Sequence, residues 1–171
     1  MIRFAVKNNL REIEQAMQQH WPECIDVASL TLLKITRLQE LFKNEIEACV
    51  TEYQLQHADF SVLATLRRSP QPYCLSPTEL YKSMFFSSGG LTKVLRRLEA
   101  AGVVERLENP LDKRSKLVKL NAQGKQLVEQ IMPELHQKDN ALLQGLNEAE
   151  QAQLNLLLQK VLDHQETPQS D

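Results

Sequence analysis

The sequence has few of the features that mark secreted, membrane-spanning or metal-binding proteins. Only three of its 171 residues are cysteines, Cys24, Cys49 and Cys74, and no two form a Cys-x-x-Cys pair. Neither a disulfide framework nor a zinc site therefore has support. No uninterrupted apolar run approaches the roughly 20 residues that cross a bilayer, and residues 1–10 lack the apolar region of a secretory signal. We expect a cytoplasmic protein with no membrane association and no metal.

Motifs for enzyme chemistry are missing as well. We find no glycine-rich phosphate loop, no paired-carboxylate motif, and no serine or cysteine with a recognisable base. The four histidines, His20, His57, His136 and His164, are scattered without the spacing of a metal site or a catalytic triad. The sequence therefore predicts that the protein is not an enzyme and needs no cofactor.

Hydrophobic residues make up 42% of the chain, which is enough for a core, and most of them recur at helical spacing. Trp21 and Pro22 should end the first helix, and Pro133 should kink a later one. Ser76, Pro77 and Glu79 form a predicted capping box, and Ser87 or Ser88 is expected to cap the helix that follows. The helices are predicted over residues 1–20, 27–54, 59–68, 77–84, 88–101, 122–146 and from 147 onwards.

Two short runs, 103–108 and 116–120, instead alternate between apolar and polar residues, which predicts two strands. Asn109 and Pro110 favour a turn between them. A two-stranded hairpin is marginally stable alone in water, so this one should pack on a helix and pair with a short strand at 73–75.

The charge of the chain is unevenly distributed. The net charge is only −2, yet eleven lysines and arginines against five acids give the segment from Arg67 to Lys119 a net charge of +6. The rest of the chain then carries −8. A basic centre of this kind can attract a polyanion, although an isolated basic run is more often an ordinary solvated surface.

The helix over residues 88–101 has one apolar side and one basic side. Leu91, Val94, Leu95 and Leu98 share one stripe, and Lys93 and Arg96 lie nearly opposite. An ordinary surface helix could show the same pattern. A recognition helix in a DNA major groove would use it to contact phosphates or bases. The DNA-binding residues predicted on this helix are Ser88, Gly89, Thr92, Lys93, Arg96 and Arg97.

The order of the elements favours the second interpretation. A short helix, a break, a basic amphipathic helix and then a hairpin is the order found in a winged helix-turn-helix. The hairpin would be the wing, whose tip residues Lys113, Arg114 and Ser115 should contact DNA, with Arg114 the best candidate to enter the minor groove. We expect Asp112 to shape the tip by accepting hydrogen bonds from Arg114 or from turn amides.

The segments "LSPTEL", "GGLTKVLRRLEAAGVVER" and "DKRSKLVKLNAQGKQLV" resemble those of the MarR family of bacterial transcriptional regulators. The family's wing signature maps onto Asp112, Arg114 and Ser115. The resemblance implies a homodimer on a pseudo-palindromic double-stranded DNA operator, usually a repressor that a small anionic or aromatic effector releases.

A dimer is also indicated by the last helix. Asn147 and Glu150 form a predicted capping box, and Leu154, Leu157 and Val161 share a stripe, whereas Leu156 points away from it. The alternative is a bundle of helices within one chain. We predict a mainly α fold with a small β hairpin, in which a winged helix-turn-helix over 55–121 lies between N-terminal helices over 1–54, for dimerisation or effector binding, and C-terminal dimerisation helices over 122–165, with a tail over 166–171.

The leading helix and Trp21 resemble the urate-responsive, PecS-like branch of the family. That resemblance implies an effector site with Trp21, with Ser61 at the aspartate position of the branch, and with Arg68. Because Ser61 and Val94 replace charged residues of the branch, a different flat anion fits better than urate. Trp21 could instead simply anchor the first helix.

Two alternative functions stay open. A redox-sensing regulator would need a reactive cysteine, but Glu23 and Asp26 near Cys24 disfavour a thiolate there, and inert packing is the better interpretation of all three cysteines. A winged helix could also bind protein rather than DNA, because a fold does not fix a function.

Overall fold

The computed structural model describes residues 9–84, 90–110, 112 and 114–167. Within them lie seven α-helices and one three-stranded sheet. The predicted fold class, mainly helical with a small β component, is confirmed. The elements are α1 (Leu10–His20), α2 (Val27–Glu52), α3 (His57–Arg68), β1 (Cys74–Leu75), α4 (Pro77–Ser83), α5 (Leu91–Ala100), β2 (Val104–Glu108), β3 (Lys116–Leu120), α6 (Ala122–Leu143) and α7 (Glu148–Glu166).

The chain forms two compact units, which meet in sequence between His57 and Ala58. The first unit contains α1 and α2, each of which begins with a capping box, formed at α1 by Asn9 and Glu12. α1 ends at His20, as the Trp21-Pro22 pair predicts. The buried residues of α2 are confined to its C-terminal part, at Ile46, Cys49 and Val50. Leu32, Ile35 and Leu38 remain exposed in the single chain.

The second unit is built around the helices and strands of a winged helix. β2 and β3 pair antiparallel from Val104 opposite Leu120 to Glu108 opposite Lys116, and β1 pairs with the other edge of β3. The predicted hairpin and its third strand are confirmed. The buried apolar side chains of this unit come from α3, α4, α5, β2, β3 and α6 and from Val103, and the largest fully buried ones are Leu63, Leu66, Leu80, Leu95, Leu98 and Ile131.

The N-termini of α4 and α5 test the two capping predictions. Ser76 Oγ accepts a hydrogen bond from the Glu79 amide, and the Glu79 carboxylate accepts one from the Ser76 amide, so the predicted capping box is confirmed. The hydrogen bonds from Ser76 lower the pKa of Glu79. The helix α5, however, has Gly90 at its N-cap, with no side-chain capping bond. The expectation that Ser87 or Ser88 caps it was wrong; both serines lie outside the described residues.

The last two helices belong to the same unit as the winged helix. α6 runs through Pro133 and buries residues only in its first two-thirds, at Gly124, Val128, Ile131 and Leu135. α7 starts with the predicted capping box of Asn147 and Glu150 and has no buried residue. It continues to Glu166, slightly into the segment predicted as a polar tail. No helix among the described residues is long and apolar enough to cross a membrane.

Candidate nucleic-acid interface

α5 presents the two sides that its sequence predicts. Val94, Leu95 and Leu98 are buried, whereas Thr92, Lys93 and Arg96 are exposed. The helix begins after Gly90, whose φ is +93°. This is the left-handed region of backbone conformation, which glycine adopts at little energetic cost. Apolar burial on one side therefore holds the cationic side outward. Ser88 and Gly89, also predicted to bind DNA, lie outside the described residues.

Arg97 makes a contact that the sequence did not reveal. Its Nε donates to Asp59 Oδ1 and Oδ2, 3.0 and 2.9 Å away, and its Nη2 donates to Oδ1 at 2.6 Å. Asp59 lies in the first turn of α3 and is 1% exposed, while the Arg97 side chain is 33% exposed. The pair fastens α5 to α3. The predicted DNA contact of Arg97 stays a prediction.

The wing turn is organised by side chains that the sequence singled out. Asp112 Oδ1 accepts a hydrogen bond from the Arg114 amide at 3.0 Å, and the Asp112 carbonyl accepts one from the Ser115 amide at 3.1 Å. Ser115 Oγ in turn accepts from Asn109 Nδ2 at 2.9 Å. The Arg114 side chain is exposed. Lys113 lies outside the described residues.

The basic residues of the central segment fall into two groups. Some are held by acids of the same unit: Arg67 by Glu129, Arg97 by Asp59, Arg106 by Glu99 and Lys119 by Glu105. Within the described part of the chain, no acid lies in ion-pair range of Lys93, Arg96 or Arg114. Part of the basic excess is thus neutralised internally, and the remainder includes the outer side of α5 and the wing.

Comparison with known proteins identifies the fold. A model described as MarR family matches residues 53–115. The multiple antibiotic resistance protein MarR of Escherichia coli K12 is 36% identical over 139 residues, which are 77% of this chain and 92% of that protein. This chain belongs to the MarR family. The transcriptional regulator PecS of Dickeya dadantii is 28% identical over 153 residues, 90% of this chain and 92% of PecS.

Solved structures agree with this assignment. A crystal structure of an E. coli MarR mutant complexed with operator DNA has a TM-score of 0.63 at 30% identity and covers 91% of this chain and 99% of that one. A structure of Bordetella bronchiseptica BpsR, described in terms of regulation of its DNA binding by 6-hydroxynicotinic acid, has a TM-score of 0.65 at 27% identity, covering 75% of this chain and 96% of BpsR. The family is one of transcriptional regulators.

The effector residues expected from the PecS-like resemblance lie in different units. Trp21 follows α1 in the first unit and is 65% exposed, so it does not act as a buried anchor for α1 in the single chain. Ser61 is half-buried on α3, and Arg68 ends α3 and donates to the Ser83 carbonyl. Arg68 also lines a pocket of about 360 Å³ together with Ala64, Arg67, Val128 and Met132. Ser61 does not line it.

The cysteines differ in burial. Cys49 is fully buried, while Cys24 and Cys74 are half-buried. Burial raises the pKa of Cys74 above its ordinary value, with a smaller opposing effect from Lys119, so its reactive thiolate is disfavoured. No group of three metal-binding side chains occurs among the residues that the structure describes.

The Asp59–Arg97 pair predicts an asymmetric response to truncation. Arg97→Ala would strand a nearly buried carboxylate, and we expect it to lower the free energy of unfolding by about 3–5 kcal/mol. Asp59→Ala should cost less, roughly 1–3 kcal/mol, because the partly exposed guanidinium can turn to water. Urea unfolding measures both, and Arg96→Ala on the same helix is the matched control, with a change within about 0.5 kcal/mol. Equal, small losses for both truncations would contradict a structural role for the pair.

Proposed function

We propose that this chain is a homodimeric repressor that binds a pseudo-palindromic double-stranded DNA operator and leaves it when a small anionic or aromatic effector binds. The observation that carries the proposal is the outward cationic side of α5, on a helix whose opposite side is buried in the core. A helix fits the major groove of B-DNA, which is about 12 Å wide. Lys93 and Arg96 are then placed to contact phosphates and base edges.

The other predicted residues complete this surface. Thr92 adds a hydroxyl to the exposed side of α5, and Ser88 and Gly89 precede the helix, where small residues would let the backbone approach DNA. Arg114, with Lys113 and Ser115, would reach the adjacent minor groove, whose narrow form concentrates negative potential. Asp112 holds the turn that presents Arg114. Arg97 positions α5 through Asp59, and any DNA contact it makes would be secondary.

The proposed dimer rests on the exposed apolar side chains of α7. Large hydrophobic residues stay between 40% and 69% exposed along this helix, at Leu156, Leu157, Leu158, Val161 and Leu162. A set of this size on one helix indicates a protein interface. A second copy of the chain is the partner we propose, because a two-fold dimer matches the symmetry of a palindromic operator.

The proposed effector is a small flat anion. Support comes from the Arg67 and Arg68 side chains at the pocket on α3 and from the similarity to BpsR, whose regulation is described with 6-hydroxynicotinic acid. Glu129 already engages Arg67 through Nε and Nη2, at 3.0 and 2.7 Å. An anion would therefore compete with Glu129 or use Arg68. Trp21 and Ser61 remain predicted effector residues.

A protein-binding winged helix is the second candidate, and DNA binding can be separated from it. Duplex DNA from upstream of the gene should be retarded in a gel shift, and the logarithm of affinity should fall with the logarithm of salt concentration by roughly 0.9 per phosphate contacted. Arg114→Ala should weaken all sequences similarly, whereas Lys93→Ala and Arg96→Ala should relax preference at single positions, by about 1–3 kcal/mol each.

Lys43→Ala, which removes an exposed charge from α2, is the control for that series. Its affinity should change by less than about twofold, because Lys43 is not among the residues proposed to contact phosphates or bases. Affinity that is independent of salt, or equal losses for Lys43 and Lys93, would argue for the protein-binding alternative.

Dimerisation through α7 is measurable by analytical ultracentrifugation. The wild-type chain should sediment as a dimer at micromolar concentration. The double change Leu157→Glu and Val161→Glu places charges in the proposed interface, and because such charges are costly to bury, the dissociation constant should rise by about 10²-fold or more. Gln153→Glu, exposed on the same helix, should leave the dimer intact. A monomeric wild-type protein would rule the dimer out.

Effector binding can be followed through Trp21, the sole tryptophan of the chain. Titration with urate and with aromatic carboxylic acids should change its fluorescence, and the acids that do so should also release DNA. Neutral amides of the same acids are the matched controls and should have little effect, since charge-assisted bonds to Arg68 are lost. No response to any acid in fluorescence or in DNA release would remove this effector class.

A further inference from the structure

The C-terminal end of α5 is joined directly to the first turn of α6. α5 ends at Ala100, and Gly102, two residues further on, has a φ of +69° and an amide that donates to the Glu99 carbonyl at 3.0 Å. The next amide, that of Val103, donates to the Leu98 carbonyl at 3.2 Å, and Val103 is buried. This arrangement closes α5 and leaves the carbonyls of Gly102 and Val103 facing α6.

Asn121 links the two helices through the oxygen and the nitrogen of its side-chain amide. Its Oδ1 accepts from the Gly124 amide at 2.9 Å and caps α6, while its Nδ2 donates to the Gly102 carbonyl at 2.7 Å. Its own backbone amide donates to the Val103 carbonyl at 3.4 Å. The cap of α6 is thus also a connection to the end of α5, across 19 positions of sequence.

Gly124 brings the two backbones into close approach. A Cβ atom added there would lie 2.1 Å from the Val103 carbonyl oxygen and 2.7 Å from Leu120 Cδ1. The first obstacle is backbone, so it cannot turn aside as a side chain could. Gly145, between α6 and α7, has nothing within 4 Å of such an atom. The contact at Gly124 is therefore specific to this position.

We propose that Asn121 and Gly124 are positioning residues that fix the angle between α5 and α6 and thereby set the half-site spacing that the dimer accepts. The inference rests on the proposed dimer, in which α7, next after α6, carries the interface. Each recognition helix then reaches its own major groove, and successive grooves are about 34 Å apart. A change in the angle at this joint displaces α5 relative to the interface and misaligns the two helices on DNA.

Asn121→Asp removes the hydrogen bond to the end of α5 but keeps the N-cap of α6. Aspartate is a good N-cap and retains an acceptor for the Gly124 amide, but it loses the donor to the Gly102 carbonyl. Its control is Asn147→Asp, because Asn147 caps α7 by the same bond to the amide three residues on. Gly124→Ala adds the steric displacement, with Gly145→Ala as its control. If Gly124→Ala does not fold, Asn121→Asp decides alone.

The full-length variants would be used to select duplexes from a randomised pool. Wild type and both controls should recover two half-sites at one fixed spacing. Asn121→Asp and Gly124→Ala should recover the same half-site sequence at broader or shifted spacing. Their affinity for the wild-type spacing should fall by about tenfold or more, with a single half-site changed by less than about twofold, because simultaneous engagement is what fails. Unchanged spacing and affinity in folded variants would overturn the proposal.

A measurement without DNA distinguishes this proposal from the proposed function. Nitroxides at Lys93→Cys on α5 and Gln130→Cys on α6, in a background with the three native cysteines replaced by alanine, report their separation by pulsed EPR. Labelled protein is diluted with unlabelled protein so that one protomer contributes. Asn121→Asp should broaden or shift the distance distribution, and Asn147→Asp should not. Identical distributions would overturn the joint even if DNA binds. A wild-type protein that recovers no duplex would overturn the DNA-binding function and with it the role in half-site spacing, while a shifted distance would still support the joint between α5 and α6.

Discussion

Burial of Val94, Leu95 and Leu98 is the constraint on which the rest of the candidate interface depends. These three side chains hold one side of α5 in the core, and so they decide that Thr92, Lys93 and Arg96 meet solvent. Rotation of the helix to hide its cations would expose the apolar stripe, at about 25 cal/mol for each Å². Asp59 adds a directional restraint, because its bonds to Arg97 hold the helix at a fixed rotation.

Some cations of the basic segment form ion pairs that connect elements of the second unit, so they have a structural role. Arg67 joins α3 to α6 through Glu129 and lies 5.1 Å from the centre of the Tyr73 ring, and its bonds lower the pKa of Glu129. The bond to Glu105 raises the pKa of Lys119. Such pairs shape the unit, whereas Lys93, Arg96 and Arg114 have no acid in ion-pair range within the part of the chain that the structure describes. A charge count alone does not separate the two kinds of cation.

Local sequence signals predicted most of the fold. The capping boxes at Ser76 and Asn147 depend on residues three positions apart, and strand alternation gave the pairing of β2 with β3, so these could be identified without a structure. Asp59 and Arg97 are 38 positions apart, and Arg67 and Glu129 are 62 apart. A single sequence does not show which distant charges meet. An acid at the start of the otherwise uncharged "DFSVLATL" was the one signal that a buried partner existed.

The cap of α5 was misjudged for a physical reason. Serines favour helix starts, but the left-handed backbone at Gly90 begins the helix without a side-chain cap. The predicted roles of the individual site residues depend on DNA itself, which a protein sequence does not contain.

The uncovered leucines of α7 have a consequence for how such a protein would respond to its own abundance. If the chain must dimerise before it binds an operator tightly, operator occupancy at low copy number rises with the square of the protein concentration. A modest fall in synthesis then empties the site disproportionately, and a modest rise refills it. The exposed apolar surface of α7 would thus make the response of the regulated genes steeper without any additional ligand.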